Sequence, residues 1–210
     1  MENTIEQKFE IEKIIMKLAE RRKLFHSEDD FKFALALTIK ELYKNAEIRL
    51  EYPFDNIHID ILVNLNDNRI PIELKYKTKE YHLKVNEENY NLKEQYAENI
   101  GKYLYLKDIQ RIENLIGKCS KISEGYTIFV TNNKSYQNSS RSNSKCINFS
   151  LKNGRIIKKK SKLVWNKSKV KKYLENPIEL KNEYQINWKQ YSKIDDSNAG
   201  TFIYLVNRIV

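Results

Sequence analysis

The sequence predicts a mixed α/β domain: an αβββαβ run followed by a basic, β-rich C-terminal elaboration. Three observations lead there. Apolar residues recur at helical spacing in two N-terminal stretches. Three consecutive segments then alternate apolar with polar residues. A second helical stretch and an almost wholly apolar strand close the run, and this order is that of a mixed α/β core. A chain of 210 residues suits one domain, with its core near 27–132 and the elaboration over 133–210. With 40% hydrophobic residues, including 14 Tyr and 8 Phe, it can bury a sizeable core.

Residues 4–24 read as a helix, with Ile5, Phe9, Glu12, Ile15, Met16 and Ala19 at helical spacing. Ser27 is placed to cap a second helix, with Asp30 reciprocating three residues on, and Phe31, Leu35, Thr38, Ile39 and Leu42 form its apolar stripe. Strands are expected at 46–52, 58–65 and 69–77, a helix over roughly 92–117, and a buried strand at 126–132. Beyond the polar tract NNKSYQNSSRSNSK, the segments INFSL, GRIIKKK, KLVW, YQINW and TFIYLVNRIV read as short strands, together with one Lys-rich helix.

The two cysteines, Cys119 and Cys146, have no ligand-like spacing and do not suggest a disulfide framework, which suits a reducing compartment. The N-terminus MENTIEQKFE has no apolar signal region, and no stretch approaches the about 18 apolar residues of a membrane span, so a cytoplasmic protein without a membrane partner is expected. The net charge of +10 is unevenly spread. Residues 125–174 contain no Asp or Glu but 13 Lys and Arg, which leaves the other 160 residues at −3. A lysine-rich composition alone would scatter its charge. Fifty residues free of acids point instead to a phosphate-bearing partner, nucleic acid first.

The expected hairpin of HIDILVNL and RIPIELKYK concentrates charge. With NDNR at 66–69 as the turn, Leu65 lies opposite Ile70, and Ile61, Ile59 and Val63 lie opposite Leu74, Tyr76 and Ile72, so one face is wholly apolar. On the other face Asp60 then lies opposite Lys75, and Glu73 lies diagonal to it, with Cβ separations of about 5 and 7 Å. Two neighbouring carboxylates repel unless a cation lies between them, and oxygen-rich sites suit Mg²⁺ or Mn²⁺. The plainer reading is a cross-strand salt bridge on a solvated face, worth about 0.2–1 kcal/mol. PIELK recurs at 177–181, but there Glu179 and Lys181 have no upstream Asp nearer than Asp108 and no hairpin partner to deliver one.

Asp60, twelve intervening residues and then Glu73-Leu74-Lys75 resembles the signature of the PD-(D/E)XK, or restriction-endonuclease-like, nuclease superfamily, and the αβββαβ order resembles its core, a mixed central sheet flanked by helices. The wider pattern, HSEDDFKFALA, YLKDIQRIE, IFVTNN and the late WKQYS, is similar to an uncharacterised bacterial group within it. One departure is that Ile59 stands where the superfamily's short motif has proline. The resemblance implies that Asp60, Glu73 and the carbonyl of Leu74 hold the metal, while Lys75 orients and helps deprotonate the attacking water and offsets charge in the transition state. It implies metal-dependent phosphodiester hydrolysis, in DNA before RNA, in a setting such as restriction, phage defence or repair. The alternative is a non-catalytic or partner-activated nucleic-acid-binding protein on the same fold. A homodimer would let two sites cut both strands, although the sequence carries no dimer signature.

Glu28 is the best fourth catalytic candidate, since it falls beside Leu35 and Ile39 on the helical wheel and the superfamily often has an acid on this helix. An acid in the first turn of a helix also has an ordinary role, complementing the dipole. Glu51 is a weaker alternative, and Glu41 falls off the stripe. Lys77 continues the Glu73–Lys75 face and is a phosphate-contact candidate. Gln95, Asp108 and Arg111 are expected on the following helix. Gln95 is a candidate for the nucleic acid, and Asp108 and Arg111, at i and i+3, read as an ion pair. Arg155, Lys158, Lys159, Lys160 and Lys162 are the expected phosphate contacts of the basic segment. Trp165 has the spacing of a core residue, with base stacking as its other use. His58 shares the Asp60 face, but one histidine makes no zinc site, and His26 and His82 are isolated. No phosphate-binding loop or nucleophile elbow is present.

Overall fold

The computed structural model describes residues 8–140, 143–166 and 174–210. Helix α1 (Ile11–Arg21) begins later than expected, and residues 4–7 lie outside the described set. Its buried stripe is Ile11, Ile14, Ile15 and Leu18, an i, i+3, i+4, i+7 pattern that leaves Met16 exposed. Helix α2 (Glu28–Leu42) starts where Ser27 caps it, the Ser27 Oγ accepting from the Asp30 N–H at 3.1 Å. Asp30 reciprocates one residue further out than a capping box requires, accepting from the His26 N–H at 2.9 Å and from Arg22 at 2.7 Å.

Strands β1 (Glu47–Phe54), β2 (Ile57–Leu65) and β3 (Asn68–Lys77) follow as an antiparallel meander. The β2–β3 register differs from the expected one by two residues. Leu65 pairs with Asn68, Val63 with Ile70 and Ile61 with Ile72, because the loop is the two-residue turn Asn66-Asp67, both at positive φ (48° and 61°). A slip of two keeps every side chain on its expected face, since the side-chain period is also two. It moves Lys75 away from Asp60 and brings Glu73 level with it.

A hairpin occupies residues expected to lie before or within the next helix: β4 (Tyr81–Val85) and β5 (Glu88–Leu92), joined by Asn86 and Glu87, again both at positive φ. Tyr81, Tyr90 and Leu92 are buried on one face of the hairpin, a strand period masked in the sequence by the polar residues between them. Helix α3 (Glu98–Ile116) therefore begins after Gln95, which lies in the preceding loop with its N–H on the Thr78 carbonyl at 2.8 Å. Strand β6 (Gly125–Thr131) pairs in parallel with β3.

The C-terminal region is partly core rather than a pure elaboration. β11 (Trp188–Lys193) and β12 (Thr201–Ile209) extend the main sheet, whose order is β1-β2-β3-β6-β12-β11. Between β6 and β11 lie two small ribbons: β7 (Ile156–Ile157) with β10 (Tyr184–Gln185), and β8 (Ser161–Leu163) with β9 (Ile178–Leu180). INFSL, expected as a strand, contains a single 3₁₀ turn at Ile147–Phe149, and the Lys-rich stretch 167–173, where a helix was expected, lies outside the described residues. The result is a mixed α+β fold with a six-stranded mixed sheet and, among the described residues, three α-helices. No helix among the described residues is long and apolar enough to cross a membrane.

Alternation sorts the sheet between two cores. Ile72, Leu74, Tyr76, Ile128, Val130, Phe202 and Tyr204 face α1 and α2, whereas Phe129, Ile203, Leu205 and Ile209 pack with α3 and the ribbons. On β3 the α3 side carries Glu73 and Lys75 in place of apolar residues. The turn register can be checked by thermal melting. Asp67→Gly, giving the favoured Asn-Gly pair, is expected to hold or raise the melting temperature. Asp67→Val, a β-branched residue at positive φ, is expected to lower it by the few degrees that about 1–2 kcal/mol represents in a chain of this size. In a four-residue loop Val at 67 would be tolerated.

Candidate active site

The β2–β3 ladder stops at Ile61 and Ile72. Across β2, Glu51 of β1 has a left-handed backbone (φ 49°), and Leu50–Ile61 and Tyr52–Ile59 are paired on either side of the Glu51 and Asp60 positions. Beyond Asp60 the strand changes company. Ile61 lies in the core under α1 and α2, whereas Ile59 packs with Leu115 and Ile122 on the α3 side. β2 thus leaves β3, and the Leu74 and Tyr76 N–H groups of β3 lose their strand partner.

Two carboxylates replace it. Asp60 Oδ2 accepts from the Leu74 N–H at 2.7 Å, and Glu28 Oε2 accepts from the Tyr76 N–H at 2.7 Å. Glu28 is delivered there by the start of α2. The buried Tyr76 hydroxyl donates to the Phe25 carbonyl at 2.8 Å and accepts from the Phe25 N–H at 3.2 Å, tying the segment just before Ser27 to β3. The four expected catalytic residues, Glu28, Asp60, Glu73 and Lys75, therefore cluster around one stretch of β3.

Helix α3 completes the cluster. Lys75 Nζ lies 2.6 Å from Asp108 Oδ2 and donates to the Leu74 carbonyl at 3.1 Å. Arg111 donates to Asp108 Oδ1 at 3.1 Å and to the His58 carbonyl at 2.8 Å, and its guanidinium lies 3.2 Å from Glu73 Oε1. Asp108 and Arg111 form the expected i, i+3 pair, but the sequence reading missed that the pair reaches Lys75 and Glu73. The contact depends on packing that the sequence does not show: Asp108 is 3% exposed, on the face of α3 turned to the sheet. Glu51 belongs to the rim, where it and Asp29 hold the buried Lys32. Glu41 pairs with Arg21 at the surface, away from this cluster.

The electrostatics follow from burial. Glu73 is 2% exposed, and desolvation, reinforced by the charge of Asp108, pushes its carboxyl up to about 9 against the pull of Arg111. Burial also raises Asp108, opposed by Lys75 and Arg111. Burial alone would depress the Lys75 ammonium, but Asp108 outweighs it and holds Lys75 above its ordinary value. Glu73 Oε1 is buried without an aligned hydrogen-bond donor, even with Arg111 close by.

No three His, Cys, Asp or Glu side chains stand in metal-holding geometry among the described residues. The donors available to a divalent cation are Asp60, Glu73 and the Leu74 carbonyl. They fit Mg²⁺ or Mn²⁺ in chemistry, being hard oxygens with one buried carboxylate oxygen lacking a hydrogen bond, in a cluster where the charges of Asp108 and Asp60 already work against ionising Glu73.

The nucleic-acid candidates scatter. Lys77 is half-buried at the end of β3, and Gln95 is exposed in the loop beside Thr78. Arg155 is half-buried and committed to the Ser150 and Asn148 carbonyls, which corrects its reading as a free phosphate contact. Lys158, Lys159 and Lys160 are exposed around the tip of the β7–β8 turn, and Lys162 pairs with Glu179 at 3.0 Å. Trp165 is half-buried against the core, its Nε1 donating to the Leu174 carbonyl and its ring stacked on Tyr103. The second PIELK lies in and around β9, where buried Glu113 of α3 accepts from the Lys181 and Asn182 N–H groups and the Tyr184 hydroxyl. No protein-family model matches the chain, and neither does any curated protein or solved structure.

The raised Glu73 carboxyl gives a pH test. The folded state holds a proton that the unfolded chain releases near 4.5, so this contribution to stability is full below that pH and is lost as pH rises toward about 9. Glu73→Gln keeps the neutral form at every pH. In EDTA its melting temperature should match wild type near pH 4.5 and exceed it by a widening margin of a few degrees toward pH 9. A gap that is flat across this range would show that Glu73 ionises normally.

Proposed function

We propose that this chain is a metal-dependent nuclease of the PD-(D/E)XK type, hydrolysing phosphodiester bonds in DNA before RNA. The observation that carries the reading is the meeting of Glu28, Asp60, Glu73 and Lys75 where β2 parts from β3. An alternating strand with Asp and Glu-X-Lys reaches this arrangement only with the right partner strand, the right register and an acid from the preceding helix. With the β4–β5 hairpin inserted between β3 and α3, the order helix, three antiparallel strands, helix, parallel strand is compatible with a restriction-endonuclease-like core.

Asp60, Glu73 and the Leu74 carbonyl would hold the metal, which supplies a more acidic bound water and offsets negative charge on the phosphoryl oxygens. The chain's own groups do the rest. Lys75, kept charged by Asp108, presents an ammonium that orients the attacking water and donates to a phosphoryl oxygen. Asp60 and Glu28 fix the β3 backbone on either side of Lys75. The exposed Lys158, Lys159, Lys160 and Lys162 are cations for the substrate backbone. A second reading, a nucleic-acid-binding protein that is non-catalytic or needs a partner to become active, is favoured by one observation: Lys75 and Glu73 are already engaged by Asp108 and Arg111.

Cleavage of supercoiled DNA, linear DNA and RNA with Mg²⁺, Mn²⁺ or EDTA tests both. Wild type should cut only with metal. Lys75→Ala and Asp60→Asn, the latter keeping an acceptor for the Leu74 N–H, should lose at least about 100-fold, a loss typical of removing one electrostatic catalytic group. Lys13→Ala on α1 should cut like wild type. Cutting that survives Lys75→Ala would place the chemistry elsewhere, and binding without cutting under any metal would favour the second reading.

A further inference from the structure

We propose that the phosphodiester backbone of a nucleic-acid strand crosses the outer face of α3, held on a cationic track that begins at Arg111 and ends at Lys160. The proposal rests on the nuclease reading for the placement of the scissile bond, but its own evidence lies outside the acid cluster. Helix α3 turns Gln110, Arg111 and Asn114 to one side, at the 3–4 residue spacing of a single helical face, and Lys118 follows just past the helix end at Ile116. A groove flanks this ridge on each side. One, of about 490 Å³, lies against the β1–β2 turn and is lined by Asp55, Arg111, Asn114 and Lys118 among others. The other, of about 450 Å³, lies against β8 and β9 and is lined by Gln110, Asn114, Lys160, Lys162, Glu179 and Lys181 among others. Asn114 borders both, which makes them one path over the helix.

Five basic side chains line the path against two acidic ones. Both acids sit in surface pairs, Lys118–Asp55 at 2.9 Å and Lys162–Glu179 at 3.0 Å, with all four side chains about 60% exposed. Such pairs contribute about 0–1 kcal/mol and exchange readily for a phosphate. Lys160 is exposed at a turn tip in a left-handed conformation (φ 59°), with no ion pair among the described residues. Arg111 is the junction, bordering the first groove while its guanidinium reaches Glu73 and Asp108. From Arg111 to its end at Ile116 the helix rises about 7.5 Å, close to two base-pair steps along a B-form axis, where each strand carries one charge per about 3.4 Å. The side-chain amides of Gln110 and Asn114 between the cations are further donors to phosphate oxygens. The opposite layer has a different surface. Its helices expose Met16, Phe33 and Leu37, with Glu20, Asp29 and Glu41 among their basic residues.

Fluorescence anisotropy with labelled single-stranded and duplex oligonucleotides, in EDTA so that nothing is cut, tests the track apart from the chemistry. The Lys160→Ala, Lys162→Ala, Lys181→Ala triple variant should bind at least about tenfold more weakly at low salt, on whichever form wild type binds more tightly. Its plot of log affinity against log salt should flatten by about 2 on a single strand and about 3 on a duplex. Lys13→Ala, Lys23→Ala, Lys44→Ala removes the same charge from the α1–α2 layer and should leave both affinity and slope unchanged. Equal losses in the two triples would mean that binding reads only net charge, and unchanged binding in the first would remove the track; either overturns the proposal. Asp60→Asn separates the two readings: lost cutting with intact binding upholds the track, and a wild type that binds but never cuts removes the nuclease reading and leaves the track standing.

Discussion

The site depends on one shortfall in the sheet: β2 and β3 stop pairing after Ile61 and Ile72, while β3 continues for five more residues. A buried N–H left without an acceptor costs about 1–3 kcal/mol, so the Leu74 and Tyr76 amides need partners. Asp60 and Glu28 supply them, through hydrogen bonds that a charged acceptor strengthens. The same gap that demands acceptors thus gathers acids, and each acid gives one oxygen to the backbone while its other oxygen lies outside that bond. Structure and chemistry are hard to separate here because a single geometric fact, the divergence of two strands, requires both. For the same reason an amide at position 60 can still accept from the Leu74 N–H, whereas alanine cannot.

The second constraint is charge under α3. β3 turns Glu73 and Lys75 to a face covered by a helix, where an isolated ion is costly. Asp108 answers Lys75 and Arg111 answers Glu73, and the i, i+3 contact between Asp108 and Arg111 joins the two pairs into one network. The match is incomplete. Arg111 spreads its donors over Asp108, the His58 carbonyl and the neighbourhood of Glu73, and Glu73 is left as the strained member, with its carboxyl pushed toward the neutral form. The two members of the network thus end unequal: Lys75 has a close carboxylate partner, and Glu73 has a nearby guanidinium but no aligned donor on Oε1.

Much of this was legible in the chain. The three meander strands, the α2 start at Ser27 and the face shared by Glu73 and Lys75 all follow from period-2 and period-3.6 patterns that act locally. The exact partner of Asp60 was not, because turn length decides it: Asn66 and Asp67 both tolerate positive φ, so the chain turns in two residues instead of four. The β4–β5 hairpin was hidden by its polar composition and by a second non-glycine turn, Asn86-Glu87. The contact of Asp108 with Lys75, and the loss of Arg155 to the Ser150 and Asn148 carbonyls, lay beyond any local pattern, since both depend on how distant segments pack. Charge density along the sequence predicted a basic region, and only the fold separates its lysines at the surface from an arginine spent on structure.

The two copies of Pro-Ile-Glu-Leu-Lys make the same point within one molecule. In both, the Glu and the Lys sit two apart on or beside a strand, so the string is equal in local propensity. The first lies in a central strand whose neighbour diverges, beneath a helix that offers Asp108 and Arg111, and its Glu is almost wholly buried. The second lies in a three-residue edge ribbon, where Glu179 meets Lys162 in solvent and the Lys181 backbone is held by a buried Glu113. Desolvation separates them. A carboxylate and a lysine taken out of water must find counter-charges, and the unequal way the first pair finds them sets apart a proton-holding acid and a charged ammonium.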